Sequence, residues 1–243
     1  MDRMIYLSMS GAKAAMHRQE VLSNNLANAS TNGFREEMAS FRAVPVRGDG
    51  ASTRVYALET TVGYNPDAGP TQATGRNLDV ALKGNSWLAV QALDGTEAYT
   101  RAGALDVNAE GQLVTLGGLP VNGDGGPIAA PADAELQIAS DGTISATVPG
   151  GRPVTVGRLK MVTPEAALSR GGDGLFRAAD GNDLDADPAA RLQSGALEGS
   201  NVSPVATMVA MITAARQFEQ QMKMLSTAER QEQTASKLLS QNG

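Results

Sequence analysis

Apolar residues recur in steps of three and four at both ends of the chain, and the longest such row lies between Ser203 and Gly243. From Pro204 onward it runs Met208, Met211, Ala215, Phe218, Met222 and Leu225, the spacing of a coiled-coil seam, and it breaks only at Glu229 and Glu232. Ser203 is placed to cap this helix with its hydroxyl, and Pro204 suits the first helical position, where no backbone donor is needed. Roughly 35 residues without Gly or Pro predict a helix of about 50 Å, which needs partners along its length. A matching row opens the chain: Ile5, Ala12, Ala15, Leu22, Leu26 and Ala29, with Ser8 and Gln19 as weaker members, predicting an amphipathic helix over residues 3–28. Two narrow seams rich in Met and Ala bury little by themselves, so subunit association is the expected source of the missing burial.

Between the helices the pattern changes period. Asparagine accumulates as the first row ends, at Asn24, Asn25 and Asn28, and Asn32-Gly33 is a strong turn signal, followed by a short apolar series of Phe34, Met38 and Phe41. Pro45, Gly48, Gly50, Gly63, Pro66, Gly69 and Pro70 punctuate residues 44–73, which predicts an extended connector around a short β-like piece, Thr53 to Leu58. From Leu78 to Val162 the signals are β: Leu78, Val80 and Leu82 alternate, Trp87 to Val90 follows, and Asp94-Gly95, Asn108 to Gly111, Asn122-Gly123 and Asp141-Gly142 read as turns. Leu136, Ile138, Ile144 and Val148 are the inward candidates, Val154 to Val156 and Leu159 to Met161 add strands, and Trp87 reads as core. Short antiparallel strands in a sandwich or small barrel are expected, then a loop-rich stretch over 163–199 that returns the chain to the long helix. The fold class is therefore mixed: paired N- and C-terminal helices, a coiled-coil stem, flanking an all-β antiparallel central domain. The expected divisions are 1–40 for the N-terminal helix and Asn-rich turn, 41–74 for the connector, 75–195 for the β-rich outer domain and 196–243 for the C-terminal helix.

Composition narrows the function more than the fold. With 27 glycines and only 4% aromatic residues, the β region should be turn-rich and lightly packed. No cysteine is present, which removes disulfides and thiolate metal sites. A net charge of −6, with Lys and Arg scattered, argues against nucleic acid or an anionic membrane as partner. No apolar run reaches the ~18 residues of a membrane-spanning helix, and Ser8, Ser10, Gly11 and Lys13 interrupt the N-terminus, so no cleaved signal peptide is expected.

Catalytic constellations are missing in kind. Asp183, Asp185 and Asp187 alternate as in a calcium loop, but Pro188 stands where that loop needs Gly and Ser194 where it needs Glu, leaving a solvated acidic turn. His17 is the single histidine, beside Lys13 and Arg18, so neither a zinc site nor a Ser-His-Asp triad is supported. There is no phosphate-cradling Gly-Lys-Ser or Gly-Lys-Thr, and Gly84-Asn-Ser-Trp-Leu88 lacks the closing Gly of a nucleophile elbow. Neither metal nor cofactor is expected, and no enzyme.

Ser23 to Arg35, read as a unit, resembles the signature of the axial proteins of the bacterial flagellum, the rod, hook and hook-associated subunits. Together with the opening Met1 to Ala12, the resemblance is to proximal-rod members more than to distal-rod or hook members. Thr74 to Gly84, Tyr99 to Gly103 with Asn108 to Leu113, and Leu197 to Pro204 agree, while Asn85-Ser86-Trp87 departs from the family's acidic or Gly residue before the aromatic. The resemblance implies a structural subunit of the basal-body rod, exported unfolded or partly folded through the flagellar type III apparatus into the periplasm-spanning rod. Its implied partners are other proximal and distal rod subunits and copies of itself. The seams and the family signature together nominate an assembly interface: Ile5, Leu22, Asn24, Asn25, Leu26, Asn28, Gly33, Phe34, Met208, Met211, Ala215, Phe218, Met222 and Leu225. The alternatives are a distal-rod or other axial protein, and a secreted glycan-binding module on an oligomerising stalk.

Overall fold

The computed structural model describes residues 2–45, 55–131 and 134–241. The chain divides into two compact units, one built from its ends with residues 37–64, the other from residues 30–36 and 65–201. Gly48, Gly50 and the start of the Thr53 to Leu58 stretch fall outside the described residues.

The first unit contains helix α1 (Asp2–Ala27), strands β1 (Glu37–Pro45) and β2 (Val55–Tyr64), and helix α2 (Pro204–Gln241). At 38 residues α2 is about 57 Å long. The capping expected of Ser203 is present, since its carbonyl accepts from Thr207 N at 2.9 Å and its hydroxyl from Ala206 N at 3.5 Å. α1 and α2 pack on one another. They approach closely at Gly11, where an added Cβ would lie 2.8 Å from Cδ of Gln221. The stretch expected to be a connector instead pairs with itself: β1 and β2 form an antiparallel ribbon from Glu37↔Tyr64 to Pro45↔Val55, with one irregularity at Ser40/Phe41. Of the residues that argued against regular structure, Pro45 and Gly63 stand at or next to the ends of this ribbon and do not interrupt it.

In the second unit the strands are short. In chain order they are β3 (Thr71–Ala73), β4 (Val80–Leu82), β5 (Trp87–Gln91), β6 (Glu97–Thr100), β7 (Leu105–Val107) and β8 (Leu113–Thr115). Then come β9 (Asn122–Gly123), β10 (Gly126–Pro127), β11 (Glu135–Ile138), β12 (Thr143–Thr147), β13 (Val154–Arg158) and β14 (Met161–Val162). The last are β15 (Ser169–Arg170), β16 (Phe176–Arg177), β17 (Leu192–Ser194) and β18 (Ala196–Glu198). β14, β5, β6, β16 and β15 make the largest sheet in that order, and β11, β12 and β13 a second. All pairings are antiparallel, and β17 returns to β4 and β18 to β3, so the segment before α2 closes the unit against its beginning.

Val80, Leu88, Val90, Leu105, Val121, Ile144, Leu159 and Leu192 form the centre of the core, and Trp87 is 1% exposed with its ring 4.6 Å from that of Phe176. Four expectations change. β4 is buried at every position and does not alternate, because it has structure on both faces. Asn122-Gly123 is a strand, and the turn follows it at Asp124-Gly125. Val148, expected inward, is 47% exposed, since it lies beyond the end of β12. The stretch 163–199, expected as loop, contributes β15 to β18 to the sheets.

Candidate assembly interface

On α2 the helix splits the apolar row found in sequence into two. Thr207, Met211, Ala214, Phe218, Gln221, Leu225 and Ala228 follow one another at strict steps of four and three, and all are buried or half-buried. A second row one residue further on, about 100° round the helix, runs Val205, Met208, Ile212, Ala215, Glu219 and Met222. Its large members are open: Val205 is 73% exposed, Ile212 55% and Met208 51%, with Met222 and the adjacent Val209 also exposed. Of the residues nominated on this helix, Met211, Phe218 and Leu225 thus belong to the covered row. Met208 and Met222 belong to the open row, where Ala215 is half-buried.

α1 shows the same division. Ser8, Ala12, Ala15, Val21 and Asn25 are buried, and Ile5, Leu22 and Leu26 are half-buried beside them. One residue round, Tyr6, Met9 and Met16 are each more than half exposed. Small side chains on the covered row let the two helices approach closely, as at Gly11, and leave the larger apolar groups facing outward. Gln19, a weak member of the expected row, is exposed.

The asparagines that end α1 are occupied within their own chain. Asn25, 1% exposed, accepts from Glu37 N through Oδ1 at 2.8 Å and donates from Nδ2 to Glu37 O at 2.9 Å. A side-chain amide presents a donor and an acceptor as a peptide does, so Asn25 pairs with the first residue of β1 as a neighbouring strand would. Asn24 donates to the Glu37 carboxylate at 2.9 Å, and Asn28 donates to both Asn24 O and Asn24 Oδ1.

In the second unit, Gly33, Phe34 and Arg35 are buried around one carboxylate. Glu198 receives Arg35 Nη1 on Oε1 at 2.7 Å, and Arg101 Nη2 and Nε on Oε2 at 2.7 and 2.9 Å. The three side chains are 1–2% exposed. Further bonds tie the cluster to backbone: Arg101 donates to the carbonyls of Leu82, Gly84 and Ser86, Arg35 to that of Asp67, and Gly69 N donates to Glu198 Oε1, while Arg35 Nε is buried without a partner among the described residues. Gly33 N donates to Glu198 O at 2.8 Å, and its φ of 71° lets the chain turn against the Arg101 backbone where any Cβ would overlap it. Phe34 lies under the Arg170 guanidinium, 4.4 Å from ring centre to Cζ. The end of the signature, Gly33 to Arg35, is thus buried within this unit. Arg35, Arg101 and Glu198 were not singled out by sequence reasoning; the available signal was that each charged residue sits inside a stretch carrying the family resemblance.

Asn201 fixes three further backbone groups of this unit, accepting from Glu36 N at 2.6 Å and donating to the carbonyls of Asn65 and Asp67. Elsewhere Tyr99 donates to Glu97 and accepts from Leu184 N at 2.6 Å, and its burial pushes the phenol well above its ordinary value. Asp183 and Asp185 of the acidic run are exposed, while Asp187 accepts from the Thr163 hydroxyl at 2.6 Å, which holds its carboxyl below the usual range. Among the described residues, no group of three or more His, Asp or Glu side chains could hold a metal ion, and no helix is long and apolar enough to cross a membrane.

Each helix thus carries an open apolar row beside a covered one, and residues 30–36 belong to the β unit. Three family descriptions match along the chain: "Flagella basal body rod protein" over residues 5–35, "Flagellar hook protein FlgE/F/G D1 domain" over 81–146, and "Flagellar basal body rod FlgEFG protein C-terminal" over 193–238. The class is that of flagellar rod and hook proteins. Flagellar basal-body rod protein FlgF of Salmonella typhimurium is 48% identical over 250 residues, covering 99% of both chains, and FlgF of Escherichia coli has the same figures. FlgG of Bacillus subtilis is 32% identical, covering 94% of this chain and 96% of its own. The chain belongs to the FlgF family of flagellar basal-body rod proteins and is a structural subunit of that rod. The glycan-binding alternative is not favoured, since these relatives are rod proteins along their whole length.

Proposed function

We propose that α1 and α2 pair as a coiled-coil stem and that the open row on each is the surface through which the subunit enters the rod. The observation that carries this is the second row of α2, in which Val205, Met208, Ile212 and Met222 keep coiled-coil spacing while remaining exposed. Covering each such half-exposed side chain returns on the order of 1 kcal/mol, so a docked neighbour recovers several. Contacts repeated head to tail along a helical path give an open polymer, the geometry of a rod. The partners are other rod components and further copies of this chain, in the proximal part of the rod, and the role is non-catalytic. Export through the flagellar apparatus without a cleaved signal peptide completes the reading, with the thinly covered helices the segments best able to pass unfolded.

Ile212→Asp tests it by placing a charge in the open row without touching the covered one. In a strain lacking its own copy, the variant should leave basal bodies without complete rods and cells without motility, while the purified chain keeps its Trp87 fluorescence. Normal swimming would count against the open row as an interface.

A further inference from the structure

We propose that the open rows are oxidation-sensitive: conversion of Met9, Met16, Met208 and Met222 to the sulfoxide in the free subunit blocks its entry into the rod. The inference rests on the docking surface proposed above and adds a chemical modification to it. Of the ten methionines in the chain, Met9 is 55% exposed, Met16 51%, Met208 51%, Met222 43% and the neighbouring Met224 48%, with Met38 on β1 at 50%, whereas Met161 in the β core is 1% exposed. The exposed set is concentrated on the two helices, at coiled-coil spacing within each row. Accessible thioethers react with peroxides. The sulfur lone pair attacks the terminal oxygen, an S–O bond forms as the O–O bond breaks, and a proton moves to the departing oxygen, which leaves as water. Sulfur is oxidised by two electrons and the peroxide is reduced by the same two.

The product changes the seam in kind. A flexible apolar side chain becomes one with a strongly polar S–O group, which docking must desolvate with no donor supplied by an apolar neighbour. The free subunit exposes these sulfurs and the docked one covers them. Oxidation thus rejects subunits before assembly and spares those already in place.

The test uses the full purified chain, treated with hydrogen peroxide, freed of oxidant and mixed with basal bodies isolated from a strain lacking this protein. Peptide mass analysis should find Met9, Met16, Met208 and Met222 oxidised at least tenfold faster than Met161. Oxidised chain should co-sediment with the basal bodies at least tenfold less than untreated chain, and treatment with both methionine sulfoxide reductases should restore it. Undiminished co-sedimentation of chain shown to carry the four sulfoxides overturns the proposal. The Ile212→Asp chain, run alongside, separates the causes: if it is excluded while oxidised chain binds, only the oxidation step is wrong, and if it binds as untreated chain does, the docking surface and the proposal fall together.

Discussion

Removing the Glu198 carboxylate should unfold the β unit more readily than any other single change of similar size. Glu198→Ala leaves two guanidiniums, those of Arg35 and Arg101, buried with no counter-charge and withdraws the acceptor of Gly69 N. Breaking a buried pair by deleting one partner costs about 3–5 kcal/mol, because the survivor keeps its desolvation penalty and loses its compensation. Here two like charges survive, so the upper part of that range is expected. At about 2–4 °C per kcal/mol for a chain of this size, the unfolding midpoint should fall by roughly 8–20 °C. Trp87 reports it directly, being the single tryptophan, buried, and 5.8 Å from the Arg101 guanidinium. Glu198→Gln keeps acceptor geometry on one oxygen and should fall between wild type and alanine. A midpoint for Glu198→Ala within 2 °C of wild type would refute the idea that this carboxylate holds the unit closed.

Four other outcomes follow from the same geometry. Asn25→Ala should destabilise the helical unit by about 1–3 kcal/mol, since Glu37 loses the partner of both its backbone groups, and hydrogen exchange at the Glu37 amide should accelerate accordingly. Asp141, Asp173 and Asp187 are held below the usual carboxylate range by hydrogen bonds from Thr143, Arg177 and Thr163 respectively. Their contribution is present above the unfolded value near 4 and lost as pH falls through the folded ones, so the β-unit midpoint should be flat between about pH 5 and 7 and drop below about pH 4. For Tyr99 the sign reverses: a raised phenol stabilises below about pH 10 and loses that contribution as pH rises, so wild type should weaken above pH 10 more steeply than Tyr99→Phe in thermal scans. Limited proteolysis of dilute free chain should cut the helices first and leave a fragment close to residues 65–201; termini as resistant as that fragment would oppose the reading that neighbours supply their cover.

Both helices were legible because a row of three-four spacing survives any tertiary context, and the expected 3–28 differs from Asp2–Ala27 only at its ends. What periodicity does not reveal is which of two adjacent apolar rows the chain itself covers. Met208 and Phe218 look alike in sequence, and only the arrival of α1 decides that Phe218 is half-buried and Met208 open. The core was readable at Trp87, Leu136, Ile138 and Ile144, where alternation and turn signals agree. The β1–β2 ribbon was hidden because its pairing is cross-strand, with residue identities near its ends that favour a loop. Arg35, Arg101 and Glu198 were illegible for a stronger reason: 66 residues separate the two arginines and 97 separate Arg101 from its carboxylate, and no local preference marks a charge destined for burial. The Asn-rich signature stands as part of the proposed assembly interface, and its local role was hidden in the sequence: Asn24, Asn25 and Asn28 hydrogen-bond within their own chain.

Because the chain contains no cysteine, a single introduced thiol can report whether the open row is covered in the rod. Ile212→Cys should react fully with a maleimide in the purified subunit and be protected in intact basal bodies carrying the same variant. Equal labelling in the free subunit and in the assembled rod would contradict the account.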